Sequence, residues 1–229
     1  MARREGPRDL GSEERLKEPT AFHREALLPH QLEVLRAIAP PLASEGFYLA
    51  GGTALAIQLG HRTSVDFDWF RDAEVSGGEG LVQRFETAGV TWEVRQVSPG
   101  TVHGTVRGVA TSLFSYRYAL LSPPVLWKDL ACPLASIDDI ACMKLVALAQ
   151  RGARKDFVDI YAILESSKRL PNLLEQFRTK YRTLDIGHVL VALNYFDDAE
   201  AEPMPTMIWK ANWSTMKTAI RSWVKDYAG

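Results

Sequence analysis

One stretch, residues 47 to 70, restricts this chain more than any other. Phe47-Tyr48-Leu49-Ala50-Gly51-Gly52-Thr53 runs into Ala54 to Gly60 and then into His61-Arg62-Thr63-Ser64-Val65-Asp66-Phe67-Asp68-Trp69-Phe70. The pattern reads as strand, glycine turn, short helix, strand. Phe47 to Ala50 is the first strand and Gly51-Gly52 the turn. Thr53 sits where a helix begins, Ala54 to Leu59 form the helix, and Gly60 is its stop. Val65 to Phe70 is the second strand, in which alternation puts Asp66 and Asp68 on one face and Val65, Phe67 and Trp69 on the other. Two carboxylates two residues apart on a strand lie within about 7 Å, at a rise of about 3.3 Å per residue, and that spacing suits a divalent metal. A Gly-Gly-Thr turn at a helix start offers free backbone N–H groups and a positive dipole end, which suits a phosphate. Either motif alone has an ordinary reading, since Gly-Gly turns are common and an Asp-x-Asp on an edge strand is often a solvated face. Together, one short helix apart, they favour a phosphate cradle beside a metal-binding pair.

The rest of the composition narrows the setting. The chain has 229 residues, 46% hydrophobic and 24% charged, enough for a substantial core in one large domain or two small ones. A net charge of −1 carries no global basic field, so any contact with nucleic acid needs a local patch. Cys132 and Cys142 have no metal-ligand histidines beside them and read as small core residues, which fits a reducing cytoplasm. No run is long and apolar enough to span a membrane, and the charged start, Met1 to Asp9, is not a secretory signal.

Taken in order, residues 1–24 are polar and broken by Gly6-Pro7, Gly11 and Pro19, and read as a loose arm. Pro29 opens a helix with Leu32, Leu35, Ile38 and Leu42 on one side, and Pro40-Pro41 is expected to end or kink it. A flexible connection containing Gly77-Gly78 and Gly80 leads to a helix over Leu81 to Ala88. The period then changes to two, and residues 91–97, 102–107 and 109–118 read as three strands of a meander that extends the sheet. Ser122-Pro123-Pro124 is a break, so 25–125 reads as an α/β core and 126–229 as a helical region that closes the site. In the latter, Ser136 is a candidate N-cap with Asp139 in the capping-box place, for a helix from Ile137 to Gln150. Further helices are expected from Lys155 to Ser166, Pro171 to Tyr181, Gly187 to Tyr195 and Trp213 to Tyr227, with an acidic loop from Phe196 to Pro205.

Two parts of the helical region have residues suited to chemistry. Lys144 falls in the apolar face made by Ile137, Ile140, Ala141 and Leu148. It either snorkels to the surface or borders a cavity, paired with a triphosphate or with the Asp66/Asp68 group. Arg151, Lys155, Asp156 and Asp159 form a dense charged cluster between two apolar helices. Asp156 in a first turn and a Lys155–Asp159 pair are ordinary helix-surface features, and the same residues also suit a site wall. His61 and Arg62 either touch substrate or satisfy their turn. His103 has no metal-ligand neighbour and reads as structural, and Asp197-Asp198 with Glu200 read as a solvated loop face.

Leu49 to Ala56 followed by Gly60 to Phe70 resembles the first motif of the AbiEii/AbiGii toxin family, nucleotidyltransferases of the DNA polymerase β-like superfamily. The resemblance continues through Lys144, Arg151-Gly152, Lys155 to Tyr161 and Tyr195 to Glu200, and so covers most of the chain from about residue 28. It implies an α+β fold: a mixed sheet with flanking helices, then a C-terminal helical region, with the site between them. It also implies a reaction, the transfer of a nucleoside monophosphate from a nucleoside triphosphate to a hydroxyl of tRNA or protein, with a cognate antitoxin as partner. Gly51, Gly52 and Thr53 would hold the triphosphate, Asp66 and Asp68 would bind Mg²⁺, and Lys144 with Lys155, Asp156 and Asp159 would complete the site. His61, Arg62 and Arg151 would lie on the nucleotide. The sequence departs from the family pattern in one respect. Such enzymes usually take a third carboxylate from a later strand, and no Asp or Glu occurs between Glu93 and Asp129. The position best aligned for it is Ser112. Three readings follow: Asp156 or Asp159 supplies the acid, metal binding is weak, or the chain is a catalytically inactive binding module.

Overall fold

The computed structural model describes residues 21–75, 83, 85–87, 89–166 and 168–229. Most of the expected N-terminal arm, the glycine-rich connection and much of the helix expected over 81–88 lie outside the described residues. Among the described residues, seven strands form one mixed sheet: β1 (Tyr48–Ala50), β2 (Phe67–Arg71), β3 (Trp92–Ser98), β4 (Thr101–Val106), β5 (Val109–Ser115), β6 (Val125–Trp127) and β7 (Cys132–Leu134). Their order across the sheet is β3-β4-β5-β2-β1-β7-β6. The meander β3-β4-β5 joins through a parallel pairing of β5 with β2, while β1 runs antiparallel to β2 and parallel to β7. The last two strands were not expected. Each is only three residues long, and Cys132-Pro133-Leu134 has no alternation to reveal it. A central partner, β1, is what makes it a strand.

The helices are α1 (Pro29–Ser44), α2 (Gly51–Leu59), α3 (Ile137–Arg151), α4 (Arg154–Ser166), α5 (Leu170–Lys180), α6 (Ile186–Asn194), α7 (Asp197–Glu200) and α8 (Trp213–Ala228). Those after residue 136 begin and end close to where apolar spacing and caps place them. The Ser136 hydroxyl accepts the Asp139 N–H at 3.0 Å, and Gly152 ends α3 in the left-handed region at φ 57°. Three expectations need correction. First, of the two outcomes expected at Pro40-Pro41, an end or a kink, the end does not occur, and α1 continues to Ser44. The two missing N–H donors would have bonded the carbonyls of Arg36 and Ala37, and Arg36 and Pro40 are exposed, so water can replace the lost bonds. Second, α2 begins at Gly51, so both glycines belong to the helix rather than to a turn before it. Third, the acidic stretch after Phe196 folds into the short helix α7 instead of an open loop.

One face of the sheet is packed. Phe67, Trp69 and Leu113 are fully buried there, and α1 sets Ile38 and Leu42 against Val106, Thr111 and Leu113 around a small apolar cavity. The opposite face carries Asp68, Phe70, Ser112, Phe114 and His103, all partly exposed. α2 leaves the end of β1 and packs against α3 and α4, so the helical region meets the sheet beside the end of β1 and the start of β2. Among the described residues no helix is long and apolar enough to cross a membrane.

Candidate active site

The site begins with the glycines. Gly51 has φ 68°, a left-handed conformation that a side chain would strain. A Cβ there would also lie 2.9 Å from Asp68 Oδ2. A Cβ on Gly52 would lie 2.3 Å from Arg62 Nη2. Both positions therefore stay bare so that a carboxylate and a guanidinium can approach the first turn of α2. That close approach brings Asp68 to the first turn of α2, and the start of a helix favours an anion such as phosphate.

Asp66 immediately precedes β2 instead of lying within it, and Val65, expected on the packed face, is 67% exposed. Asp66 is held by its backbone. The Thr53 hydroxyl donates to the Asp66 carbonyl, lies 2.7 Å from Ser64 Oγ, and is itself 1% exposed. Gln31 Nε2 donates to the Ser64 carbonyl at 3.1 Å, and Ser64 N–H donates to the Ala26 carbonyl at 3.1 Å. The strap at residues 206–209 fixes the other end of the loop, with Thr63 N–H on the Thr206 carbonyl and the Ile208 and Trp209 N–H groups on the His61 carbonyl. Thr53 thus aims the loop that carries Asp66, and its hydroxyl is already engaged.

Asp68 has an unsatisfied electrostatic environment. Burial, and then the charge of Asp66 beside it, push its carboxyl up to about 6, against the pull of Lys144, Lys155 and Arg151. The pull of those three cations shows that the helical region faces the acid pair. Lys155 is exposed and makes no ion pair among the described residues. Two like-charged carboxylates with spare oxygen lone pairs suit a hard cation. Mg²⁺ is commonly held by one or two carboxylates together with substrate phosphates and water, so the residues present fit it. Among the described residues no group of three or more acids, histidines or cysteines is placed to hold a metal.

The other acids are arranged differently. Asp159 is fully buried and receives Arg62 through Nε at 2.7 Å and Nη2 at 2.9 Å, His61 Nε2 at 2.8 Å, and Lys144 Nζ at 2.6 Å. Asp156, also fully buried, receives Lys144 Nζ at 2.9 Å and Arg151 through Nε at 2.7 Å and Nη2 at 3.0 Å. Burial alone would raise the Asp159 carboxyl, but Lys144 and Arg62 hold it well below the usual range, and Lys144 and Arg151 hold Asp156 low in the same way. Burial is the largest influence on Lys144 and Arg62 and acts to lower both, but the charges of Asp159 and Asp156 with the Asp159 hydrogen bond together raise them. Burial depresses His61 despite Asp159, and its Nδ1 is buried without a partner.

Lys144 therefore does not snorkel: it bridges two aspartates inside the fold. His61 and Arg62 face Asp159 and not solvent, and the remaining Arg62 nitrogen, Nη1, donates to the Thr63 carbonyl at 2.9 Å. The third metal acid that the sequence reading sought in Asp156 or Asp159 is not free there, because cations occupy both carboxylates. The register does place Ser112 opposite Asp68, as expected, and His103 opposite Ser112. Sequence reading missed Ser64 and Gln31, whose part in holding the Asp66 loop has no local signature.

Comparison with known proteins agrees with this geometry. The family model described as "Nucleotidyl transferase AbiEii toxin, Type IV TA system" matches residues 33–122 and 108–226. A protein of Aquifex aeolicus, aq_aa25, is 35% identical over 204 residues, which are 88% of this chain and 97% of that one. Among solved structures, a Helicobacter pylori protein described as a nucleotidyltransferase superposes with a TM-score of 0.57 at 16% identity, over 89% of this chain and 94% of that one. MenT4, a nucleotidyltransferase toxin of Mycobacterium tuberculosis, superposes with a TM-score of 0.58 at 14% identity, over 85% and 82% of the two chains.

Proposed function

Because this chain belongs to the AbiEii nucleotidyl transferase toxin family of type IV toxin–antitoxin systems, we propose that it moves a nucleoside monophosphate from a nucleoside triphosphate to a hydroxyl of tRNA or protein, with a cognate antitoxin as its counterpart. The observation that supports this reading is the close approach of Asp68 to the bare first turn of α2, since a helix N-terminus suits phosphate and an acid beside it suits a metal. Asp66 and Asp68 would hold Mg²⁺. When bound, the ion would neutralise triphosphate charge and help align the attacking and leaving oxygens.

This chain's own groups divide the remaining work. The Gly51 and Gly52 N–H groups and the helix dipole receive phosphate oxygens. Lys155, exposed and without an ion pair among the described residues, and the outer side of Arg151 supply positive charge at the mouth of the site. Lys144, Asp156, Asp159, Arg62 and His61 form the frame that holds α2, α3 and α4 in register around it. Phe70 and Phe114, stacked at 4.9 Å on the face that carries Asp68, offer π-surfaces to a base. The cytoplasm, where nucleoside triphosphates are available, is the compartment this reaction needs.

The test is incubation with each α-labelled nucleoside triphosphate in the presence of total tRNA or total protein. Label should enter one acceptor pool with the wild type and not with Asp66→Ala. Transfer to neither pool, with nucleotide binding retained, favours the second reading, an inactive nucleotide-binding or interaction module. The single acid pair and the serine at the aligned position are what motivate that alternative.

A further inference from the structure

Transfer to a hydroxyl requires that the acceptor lose its proton, and few groups near Asp68 are free to take it. Asp66 and Asp68 would be occupied by the cation of the reaction proposed above. Asp156 and Asp159 are saturated by Lys144, Arg62 and Arg151. His61 is fully buried against Asp159, and its neighbour Arg62 is bound to the same carboxylate. One imidazole lies on the open face of the sheet. His103 on β4 is partly exposed, and its Nδ1 is 2.9 Å from the Ser112 hydroxyl on β5. Ser112 is in turn the register partner of Asp68 on β2, so Asp68, Ser112 and His103 stand level on one face of three adjacent strands. Strands lie about 4.8 Å apart, which puts the serine one strand from the acid and the histidine two. The His103 ring is held edge-on to Phe114 at 5.6 Å, and no hydrogen bond occupies its Nε2 among the described residues.

We infer that Ser112 and His103 form a hydroxyl–imidazole relay that removes the acceptor's proton, an assignment that rests on the transfer reaction proposed above. With Nε2 carrying the ring hydrogen, Nδ1 accepts from Ser112. As the acceptor oxygen bonds to the α-phosphorus, its proton passes to Ser112 Oγ while the Ser112 proton passes to His103 Nδ1. The bond from the α-phosphorus to the bridging oxygen breaks, pyrophosphate leaves with the electron pair, and the imidazolium then returns its proton to water. Ser112 touches the reacting hydroxyl. His103 is a positioning residue that acts through it.

The experiment measures transfer into whichever pool, tRNA or protein, accepts label from the wild type, and compares Ser112→Ala, His103→Ala, and His103→Ala combined with Ser112→Asp. Each alanine variant should lower kcat about 100-fold or more with the KM for nucleotide unchanged, the range expected for loss of proton transfer. The double variant should recover much of that loss, because a carboxylate at 112 takes the proton directly and a merely structural histidine could not be replaced in this way. Alanine variants with wild-type kcat, or no recovery in the double variant, overturn the relay. Wild-type protein that labels neither pool overturns the transfer reaction itself.

Discussion

The molecule contains two pairs of aspartates with opposite fates. Asp66 and Asp68, beside and on β2, face each other with little compensation, and the Asp68 carboxyl is pushed up to about 6. Asp156 and Asp159, one turn apart on α4, are more deeply buried yet held low, because Lys144 bridges them and Arg62 and Arg151 each add a bidentate fork. The same chemical group thus serves two ends. The first pair leaves its charge largely unmatched, with the Asp68 carboxyl raised by burial and by Asp66. The second pair spends its charge on the fold, and so cannot also be a metal site.

The most severe test of that contrast is Asp68→Asn. Transfer should fall to background, while resistance to urea stays equal or increases, since the substitution relieves repulsion with Asp66. A large loss of stability would erase the distinction between the pairs. Asp159→Ala should do the reverse at the level of the fold. It strands Lys144 and Arg62 in the interior and should cost about 3–5 kcal/mol in denaturant unfolding.

The pH dependence of stability separates the pairs within one protein. Asp156 and Asp159 have folded values below their unfolded ones, so their contribution is complete above about pH 4 and is lost as pH falls through the folded values. Asp68 has a raised folded value, so its penalty is present above about pH 6 and is relieved as pH falls toward about 4. Thermal melts without metal should therefore show stability holding or rising slightly from pH 7 to pH 5 and collapsing below pH 4. Added Mg²⁺ should raise Tm at pH 7 in the wild type and not in Asp68→Asn. The smallest effect is expected at Lys155. As an exposed cation it should change stability by less than about 0.5 kcal/mol on replacement by alanine. The same variant should raise the KM for nucleotide a few-fold, more at low salt than at high.

Much of the first acid pair is legible without a structure. A strand alternates its side chains, and Asp68 takes the less buried side that alternation assigns, although Asp66 lies just before β2 and Val65 is exposed; Gly60, Ser136 and Gly152 mark helix ends through local backbone chemistry. The second pair is legible only as a cluster of charge. Spacing along α4 puts Asp156 and Asp159 on neighbouring positions, but a surface ladder and a buried knot have the same spacing. What separates them is His61 and Arg62, which reach Asp159 from 98 and 97 residues away.

The sequence by itself determined the local order of most elements and the helix caps, together with two acids at the start of β2 close behind a glycine-rich helix start, because each depends on sterics and hydrogen bonds within a few residues. Only the tertiary structure decided that β6 and β7 complete the sheet, that Gly51 and Gly52 stay bare to admit Asp68 and Arg62, and that Ser112 and His103 stand level with the acid. It also decided that the second acid pair is closed. Those outcomes depend on which distant side chains packing brings within about 3 Å, and charge at that range decides whether an aspartate binds a ligand or holds the fold.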